Sequence, residues 1–139
     1  MIPGARVHHI GIAVFDIEAT ALKYERNGYK RSEAVYDPIQ RVNVCWLTKE
    51  NDPVIELLSS GSEDSPVNKV LEKNGVSPYH ICYEVDNLDE AILDLRRERF
   101  ILVSKPAPAV AFKGSSVAFL YHKDVGLIEL VQSPAEILI

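Results

Sequence analysis

The chain has 139 residues, 47% of them apolar, and a formal net charge of −5 at pH 7. This length suits one domain with a hydrophobic core, and no apolar run is long enough to span a membrane. The acidic balance and the scattered basic residues argue against a nucleic-acid partner. The opening residues MIPGARVHH lack the apolar segment of a secretory signal, so we expect a cytoplasmic protein.

The first predicted elements are a strand and a helix. In the strand, Ile10, Ile12 and Val14 alternate with smaller residues. The segment FDIEATALKYERNG then predicts a helix with Asp16 as its N-cap and Gly28 where it stops. Further strands follow, the last two joined by the turn KENDP: Ser32–Tyr36, Val42–Leu47 and the strand that ends in VIELL.

The same order of elements occurs a second time. A shift of 71 positions places His9 on His80, and a shift of 73 places VIELL on LIELV. The second helix starts near Asn87 or Asp86. The chain therefore reads as two βαβββ modules, about residues 6–60 and 77–133. A polar linker joins them, with a short helix predicted at Ser65–Lys73.

Two cysteines, Cys45 and Cys82, lie in apolar segments that read as strands. Neither belongs to a CxxC pair, so no zinc or redox motif is indicated. We expect both to be buried, reduced thiols.

Each module offers one histidine near the start of its first strand and one glutamate within its last. Strand alternation puts His9 on one face with Gly11 and Ala13, whose small side chains leave space. A single histidine or glutamate in a strand is usually exposed at an edge or hydrogen-bonded. Four at matching positions favour a shared site if the modules pack with approximate two-fold symmetry: His9, Glu56, His80 and Glu129.

Two imidazoles and two carboxylates are suitable ligands for a divalent metal ion. The ion would also neutralise Glu56 and Glu129, which otherwise place carboxylates in apolar strands at high cost. Cobalt, nickel, manganese, zinc and magnesium all remain open.

Four segments carry a resemblance to a known family: HHIGIAVFDIE, IELLSSGSEDSPVNKVLEKNG, YHICYEVDNLDEAI and LIELVQ. They resemble the vicinal oxygen chelate superfamily of glyoxalase, bleomycin-resistance and extradiol dioxygenase proteins, and within it most closely the methylmalonyl-CoA epimerases. The resemblance spans about Val7 to Gln132. It implies an α+β fold, a single domain over residues 1–139, in which two βαβββ modules form a paired, open sheet around a metal-containing cleft. It also implies a homodimer and the metal ligands His9, Glu56, His80 and Glu129.

The implied activity is that of an isomerase that removes and returns a proton next to a carbonyl. The expected substrate is an acyl-CoA thioester or a similar small molecule. Glu129 is expected to act as both base and ligand, and Glu56 as the acid or base on the opposite face. Plain metal ligation by both carboxylates remains the alternative.

Four further residues are candidates for substrate binding. Gln40 and Lys113 are related by the 73-residue shift and precede the strands that would form the cleft. Trp46 and Phe119 are related in the same way and would line the cavity, with core packing as the alternative. His8 and His122 are expected to face away from the site or to lie in loops.

Two other functions remain open. A glyoxalase I-like lactoylglutathione lyase fits the same four ligands, but the flanking motifs lean toward the epimerase. A metal-free member of the fold would only bind a small molecule, and retention of all four ligands argues for an enzyme.

This chain also departs from epimerases by having one glycine, Gly114, in PAPAVAFKGSSVAFL, and no carboxylate from Val42 to Val44. The apolar tail AEILI would dock at a subunit interface or pack back on the domain.

Overall fold

A mixed β-sheet organises the molecule, and the computed structural model describes it over residues 2–139. Its strands, in chain order, are β1 (Arg6–Ala13), β2 (Lys30–Arg31), β3 (Val35–Asp37), β4 (Val42–Thr48), β5 (Val54–Ser60), β6 (Ser77–Val85), β7 (Ile101–Pro108), β8 (Ser116–His122) and β9 (Gly126–Gln132). The helices are α1 (Ile17–Glu25), α2 (Val67–Asn74) and α3 (Leu88–Arg97), with a short 3₁₀ turn at Val110–Phe112.

The strand order is β2-β4-β5-β1-β6-β9-β8-β7, and β3 pairs with β4 beside this row. Within each module the first and last strands are parallel, β1 with β5 and β6 with β9. The modules join where β1 and β6 pair antiparallel. The predicted α+β class and the paired, open sheet of two βαβββ modules are confirmed.

The register between the modules follows the internal repeat. Ile10 pairs with Ile81, its equivalent after the 71-residue shift, so the local two-fold axis passes through this pair. His9 then stands opposite Cys82, and Gly11 stands opposite His80. This register places the two histidines next to each other on the same face of the sheet.

Helices α1 and α3 cover one face of the sheet, one helix for each module. The predicted N-caps are confirmed, since the Asp16 side chain accepts a hydrogen bond from the Ala19 N–H and Asn87 accepts one from Glu90. Helix α1 ends at Glu25, three residues before the predicted stop. Among residues 2–139, no helix has the length and apolar character needed to cross a membrane.

The other face of the sheet carries the larger buried cluster, which surrounds the candidate site. Its members include Val44, Trp46, Leu58 and Phe112. Alternate residues of the same strands, such as Cys45, Leu47 and Leu57, face α1 instead. This alternation is the period-two pattern of a sheet that is buried on both faces.

Two predicted boundaries were displaced. The strand expected at Ser32–Tyr36 starts only at Val35, as β3, and β2 ends before it at Arg31. Between them the Ser32 hydroxyl accepts the hydrogen bond of the Trp46 N–H and takes the place of a backbone partner. Helix α2 begins two residues later than expected, after Pro66 at its N-cap.

The C-terminal segment Ser133–Ile139, called the strap below, packs back on the domain. Its Leu138 N–H donates a hydrogen bond to the carbonyl of Ala111, and Ala135 and Ile137 contact the large cluster. Both cysteines, Cys45 and Cys82, are free and buried, as expected.

Candidate metal centre

Four ionisable side chains converge on the middle of the sheet. They come from four adjacent strands, β5, β1, β6 and β9, and each is at most 4% exposed. One ligand atom from each side chain can be chosen so that all four lie within 4.8 Å of one another: His9, Glu56, His80 and Glu129. These are the residues that the repeat and the resemblance selected.

The two histidines present Nε2 atoms to the same point. Their Nε2 atoms are 3.1 Å apart. Oε1 of Glu129 lies 3.2 Å from Nε2 of His9 and 3.1 Å from Nε2 of His80. Oε1 of Glu56 lies 3.2 Å and 3.4 Å from the same two nitrogen atoms. The arrangement is nearly symmetric about the local two-fold axis.

Two features of the surrounding strands hold the imidazoles in place. Gly11 has no side chain, and a β carbon there would lie 2.6 Å from Nε2 of His80. Aromatic rings then pack against each histidine, with centroid distances of 4.9 Å from Trp46 to His9 and 5.3 Å from Phe119 to His80. The imidazoles therefore have little freedom to turn away from the shared point.

Opposite charges shift the pKa values of the cluster. Burial lowers the pKa of His80, but the negative charges and hydrogen bonds of Glu129 and Glu56 together outweigh burial and raise it to about 9. Burial likewise opposes the charged form of His9, and Glu56 and Glu129 together raise its pKa overall. Burial raises the pKa of Glu129 and of Glu56, and the positive histidines outweigh it, so both pKa values fall below their ordinary range. Without a metal ion, the cluster is held together by these charges.

The residues present fit a divalent ion. Oε1 of Glu129 is buried and has no hydrogen-bond partner, although two histidine nitrogens lie close to it. Buried carboxylate oxygens without a partner are rare and call for an explanation. Two nitrogen and two oxygen donors within 4.8 Å form a ligand set that first-row divalent metals accept.

The sequence-based expectation for His8 was wrong. Its ring faces the site, with Nδ1 2.9 Å from Nδ1 of His9 and Nε2 3.2 Å from the carbonyl oxygen of Ala135. Burial and the neighbouring His9 lower the pKa of His8. The internal repeat gave no signal, because the equivalent position holds Tyr79. His122 lies at the end of β8, where its Nδ1 accepts a hydrogen bond from Asp124.

A cavity of about 400 Å³ lies beside the candidate metal centre. Its size is in the range of small-molecule sites. Its wall is mostly apolar and includes Val42, Leu58, Tyr79, Val117 and Phe119. The Phe119 ring joins the two features, because it lines the cavity and packs against His80.

The proposed substrate residues divide into two groups. Gln40 and Phe119 line the cavity. Trp46 is 1% exposed and donates its indole N–H to the carbonyl of Ala111, so it belongs to the core. Lys113 lies outside the cavity, where its ammonium contacts the carboxylate of Glu136 at 3.4 Å. Neither of the latter two lines the cavity, so their roles in substrate binding stay predictions.

Sequence reasoning missed Tyr79, which also lines the cavity. Burial, with the negative charges of Glu129 and Glu56, raises the pKa of Tyr79 to about 12. Its hydroxyl is therefore a hydrogen-bond donor at neutral pH. Its position immediately before His80 was the one available signal.

Comparison with known proteins places the chain in a family. Residues 8–119 match the family model described as the Glyoxalase/Bleomycin resistance protein/Dioxygenase superfamily. The human mitochondrial methylmalonyl-CoA epimerase is 37% identical over 92% of this chain and 74% of its own length. The ethylmalonyl-CoA/methylmalonyl-CoA epimerase of Cereibacter sphaeroides is 35% identical over 91% of this chain and 97% of its own.

A solved structure is similar over nearly the whole fold. It is a variant of the Streptomyces coelicolor methylmalonyl-CoA epimerase in complex with 2-nitronate-propionyl-CoA. It is 30% identical, with a TM-score of 0.80 over 96% of this chain and 98% of that chain. The chain belongs to the glyoxalase/bleomycin resistance protein/dioxygenase superfamily, and its curated relatives include methylmalonyl-CoA epimerases.

Proposed function

We propose that this protein is a metal-dependent epimerase of the methylmalonyl-CoA epimerase type. The convergence of two histidines and two glutamates beside an apolar cavity is the observation that carries the proposal. The 35–37% identity to epimerases from human and Cereibacter sphaeroides supports the same reaction.

The proposed ligands of the ion are His9, Glu56, His80 and Glu129. When bound, a divalent ion supplies Lewis acidity that stabilises negative charge on a substrate oxygen. Its identity stays open among cobalt, nickel, manganese, zinc and magnesium. Burial of all four side chains keeps bulk water away from the reacting atoms.

Glu129 is the proposed base for the proton next to the thioester carbonyl. The C–H bond breaks, the proton passes to the carboxylate, and the electron pair is delocalised onto the carbonyl oxygen. Return of a proton from the opposite face inverts the centre. Glu56 is the proposed donor, and it must first take up a proton from water before it delivers one to the carbanion. The lowered pKa of Glu129 keeps this carboxylate ionised, so it is able to accept the substrate proton.

The cavity supports an acyl thioester as substrate. Its apolar wall suits the acyl group, and Tyr79 and Gln40 offer hydrogen bonds to carbonyl or carboxylate oxygens. Gln40 is held in place because its side-chain amide donates a hydrogen bond to Asp37. Lys105 lies on the same wall and supplies positive charge for an anionic substrate.

A lactoylglutathione lyase is the second candidate, because the same donor set suits its reaction. The similarity to epimerases in both sequence and solved structure favours the first candidate. A protein that only binds a small molecule is disfavoured by the complete ligand set.

Solvent deuterium exchange tests the proposal. The protein is loaded with cobalt or another divalent ion and incubated in D₂O with one enantiomer of methylmalonyl-CoA. Deuterium at C2 and appearance of the other enantiomer are the expected results. Absence of both, with turnover of the methylglyoxal–glutathione hemithioacetal, would replace the epimerase with the lyase. Absence of any turnover by metal-loaded protein would leave a binding protein.

Two further expectations accompany this function. The homodimer and the cytoplasmic location both stay predictions. Sedimentation of the purified chain tests the first, and fractionation of the source cells tests the second.

A further inference from the structure

We propose that His8 is a positioning residue that holds His9 in the tautomer whose Nε2 is free to bind the metal. This inference rests on the proposed metal site. It assigns to His8 and the strap a role that the internal repeat does not indicate, because the second module has no equivalent arrangement.

The argument begins at the carbonyl oxygen of Ala135. A carbonyl can only accept a hydrogen bond, so Nε2 of His8, 3.2 Å away, must carry the hydrogen. Nδ1 of His8 lies 2.9 Å from Nδ1 of His9, so one hydrogen must lie between these two atoms. A metal ligand must be a neutral imidazole, and with His9 neutral two assignments are compatible with these contacts.

In the first assignment His8 is neutral and its Nδ1 accepts a hydrogen bond from Nδ1–H of His9. Nε2 of His9 then needs no hydrogen and can direct a lone pair at the metal. In the second assignment His8 is doubly protonated, and neutral His9 must carry its hydrogen on Nε2. That hydrogen would point at the other three ligands and exclude a metal, so metal binding selects the first assignment.

The carbonyl of Ala135, which accepts the hydrogen bond of His8, is itself held in place. The Ala135 N–H donates to the Glu84 carboxylate at 3.1 Å, and Ser133 donates to the carbonyl of Val85 at 2.9 Å. Leu138 donates to the carbonyl of Ala111 at 2.9 Å, which ties down the far end of the strap. The Ala135 carbonyl is therefore presented to His8 by three hydrogen bonds outside the metal site.

The two metal histidines are held differently. Nδ1 of His80 is buried and has no hydrogen-bond partner, whereas Nδ1 of His9 is paired with His8. Outer hydrogen bonds to a ligating histidine fix its tautomer and typically change metal affinity by about 10- to 100-fold. The orientation of His9 thus depends on its hydrogen bond with His8. The orientation of His80 depends on packing against Gly11 and Phe119.

A purely structural role for His8 is the competing explanation. Its ring also packs against Phe112 at a centroid distance of 4.9 Å, and its Nε2 helps to hold the strap. Two amide substitutions separate the roles. His8→Asn places an acceptor near the position of Nδ1 and loses the donor to Ala135. His8→Gln keeps a donor near the position of Nε2 and loses the acceptor for His9.

The test measures Zn²⁺ affinity of the full chain by calorimetry, starting from protein stripped with a chelator. We expect His8→Gln to bind Zn²⁺ about 10- to 100-fold more weakly than wild type, and His8→Asn to stay within about threefold. The reverse order, or equal affinity in all three proteins, would overturn the proposal. Thermal unfolding of the metal-free variants shows whether either one is simply unfolded.

A second measurement keeps the inference testable if a variant does not fold or if no metal binds. Long-range ¹H–¹⁵N spectra of wild-type, metal-free protein at alkaline pH report which nitrogen of each histidine carries the hydrogen. The proposal requires hydrogen on Nδ1 of His9 and on Nε2 of His8. Hydrogen on Nε2 of His9 with none on its Nδ1 would contradict it. Absence of Zn²⁺ binding by wild type would instead contradict the proposed function, so the two failures are distinguishable.

Discussion

A β carbon at Gly11 would lie 2.6 Å from Nε2 of His80, so the first strand of one module makes room for a candidate metal ligand of the other. The two residues face each other across the β1–β6 pairing. The absent side chain is therefore part of the candidate site, although glycine contributes no chemical group. It links the register of the sheet directly to the position of an imidazole.

The substitution Gly11→Ala tests this relationship. The added methyl group must displace the His80 ring, and overpacking of this kind typically costs about 1–3 kcal/mol in the free energy of unfolding. We expect Zn²⁺ affinity, measured by calorimetry, to fall by at least about tenfold. Gly61→Ala is the control, because its β carbon would lie 2.9 Å from the Arg41 carbonyl oxygen, away from the four ligands. That variant should lose stability and keep Zn²⁺ affinity. Unchanged affinity in Gly11→Ala would show that the ring has room to move.

The pKa of His80 predicts how the metal-free protein responds to pH. Folding raises this pKa from 6.5 to about 9, so the folded state holds the proton more tightly than the unfolded state. The resulting stabilisation, on the order of 3 kcal/mol, is present below pH 6.5 and is lost as pH rises to about 9. Urea denaturation of chelated protein at both ends of this range measures it. His80→Asn should flatten the dependence, and a wild-type protein that gains stability across this range would contradict the charge assignment.

Metal binding should show the opposite dependence on pH. A divalent ion must displace the histidine protons, so its affinity should rise as pH increases toward the pKa of about 9 of His80. Calorimetry in buffers with different ionisation enthalpies counts the protons released. Binding without proton release at pH 7 would mean that the histidines are already neutral in the metal-free protein.

The two carboxylates should differ in their roles in proton transfer. In Glu129→Gln the amide oxygen still offers a donor to the metal, but the side chain can no longer accept a proton. We expect kcat to fall by about 10²- to 10⁴-fold, with loss of deuterium exchange from one enantiomer of methylmalonyl-CoA. Glu56→Gln should impair exchange from the other enantiomer. Glu72→Gln, an exposed carboxylate on α2, serves as the control. Full exchange in Glu129→Gln would reduce Glu129 to a ligand.

Two lysines, one that lines the cavity and one that lies outside it, provide a matched test of where the substrate binds. Lys105 lines the cavity, whereas Lys113 is held by Glu136 outside it. If an anionic thioester binds in the cavity, Lys105→Ala should raise KM about threefold to tenfold and leave metal content unchanged. Lys113→Ala should leave both quantities unchanged. Equal effects of the two substitutions would mean that the substrate does not occupy this cavity.

The internal repeat predicted that the four residues of the candidate metal centre converge, because the repeat and the sheet share one symmetry. His9 and His80 occupy equivalent positions, and the β1–β6 register brings equivalent residues together at the two-fold axis. The helix starts were also predictable, since Asp16 and Asn87 cap their own helices through local hydrogen bonds.

Other residues were not predictable because their environments break that symmetry. His8 in the first module contacts the strap, which follows the second module and has no counterpart after the first. The position equivalent to His8 in the second module holds Tyr79. Lys113 follows a 3₁₀ turn, adopts a positive φ of 54° and points away from the cavity, whereas its repeat partner Gln40 lines it. Pairwise equivalence therefore holds in the central strands and fails in the loops.

Metal content of purified wild-type and His80→Ala protein, measured by elemental analysis after dialysis, tests the central claim most directly. Both proteins are prepared without chelators and loaded with the same divalent ion. The four-residue site predicts one ion per chain in wild type and a large loss in His80→Ala, with the folded state checked by circular dichroism. Wild-type protein without a bound ion, or a His80→Ala variant that retains it fully, would contradict the site.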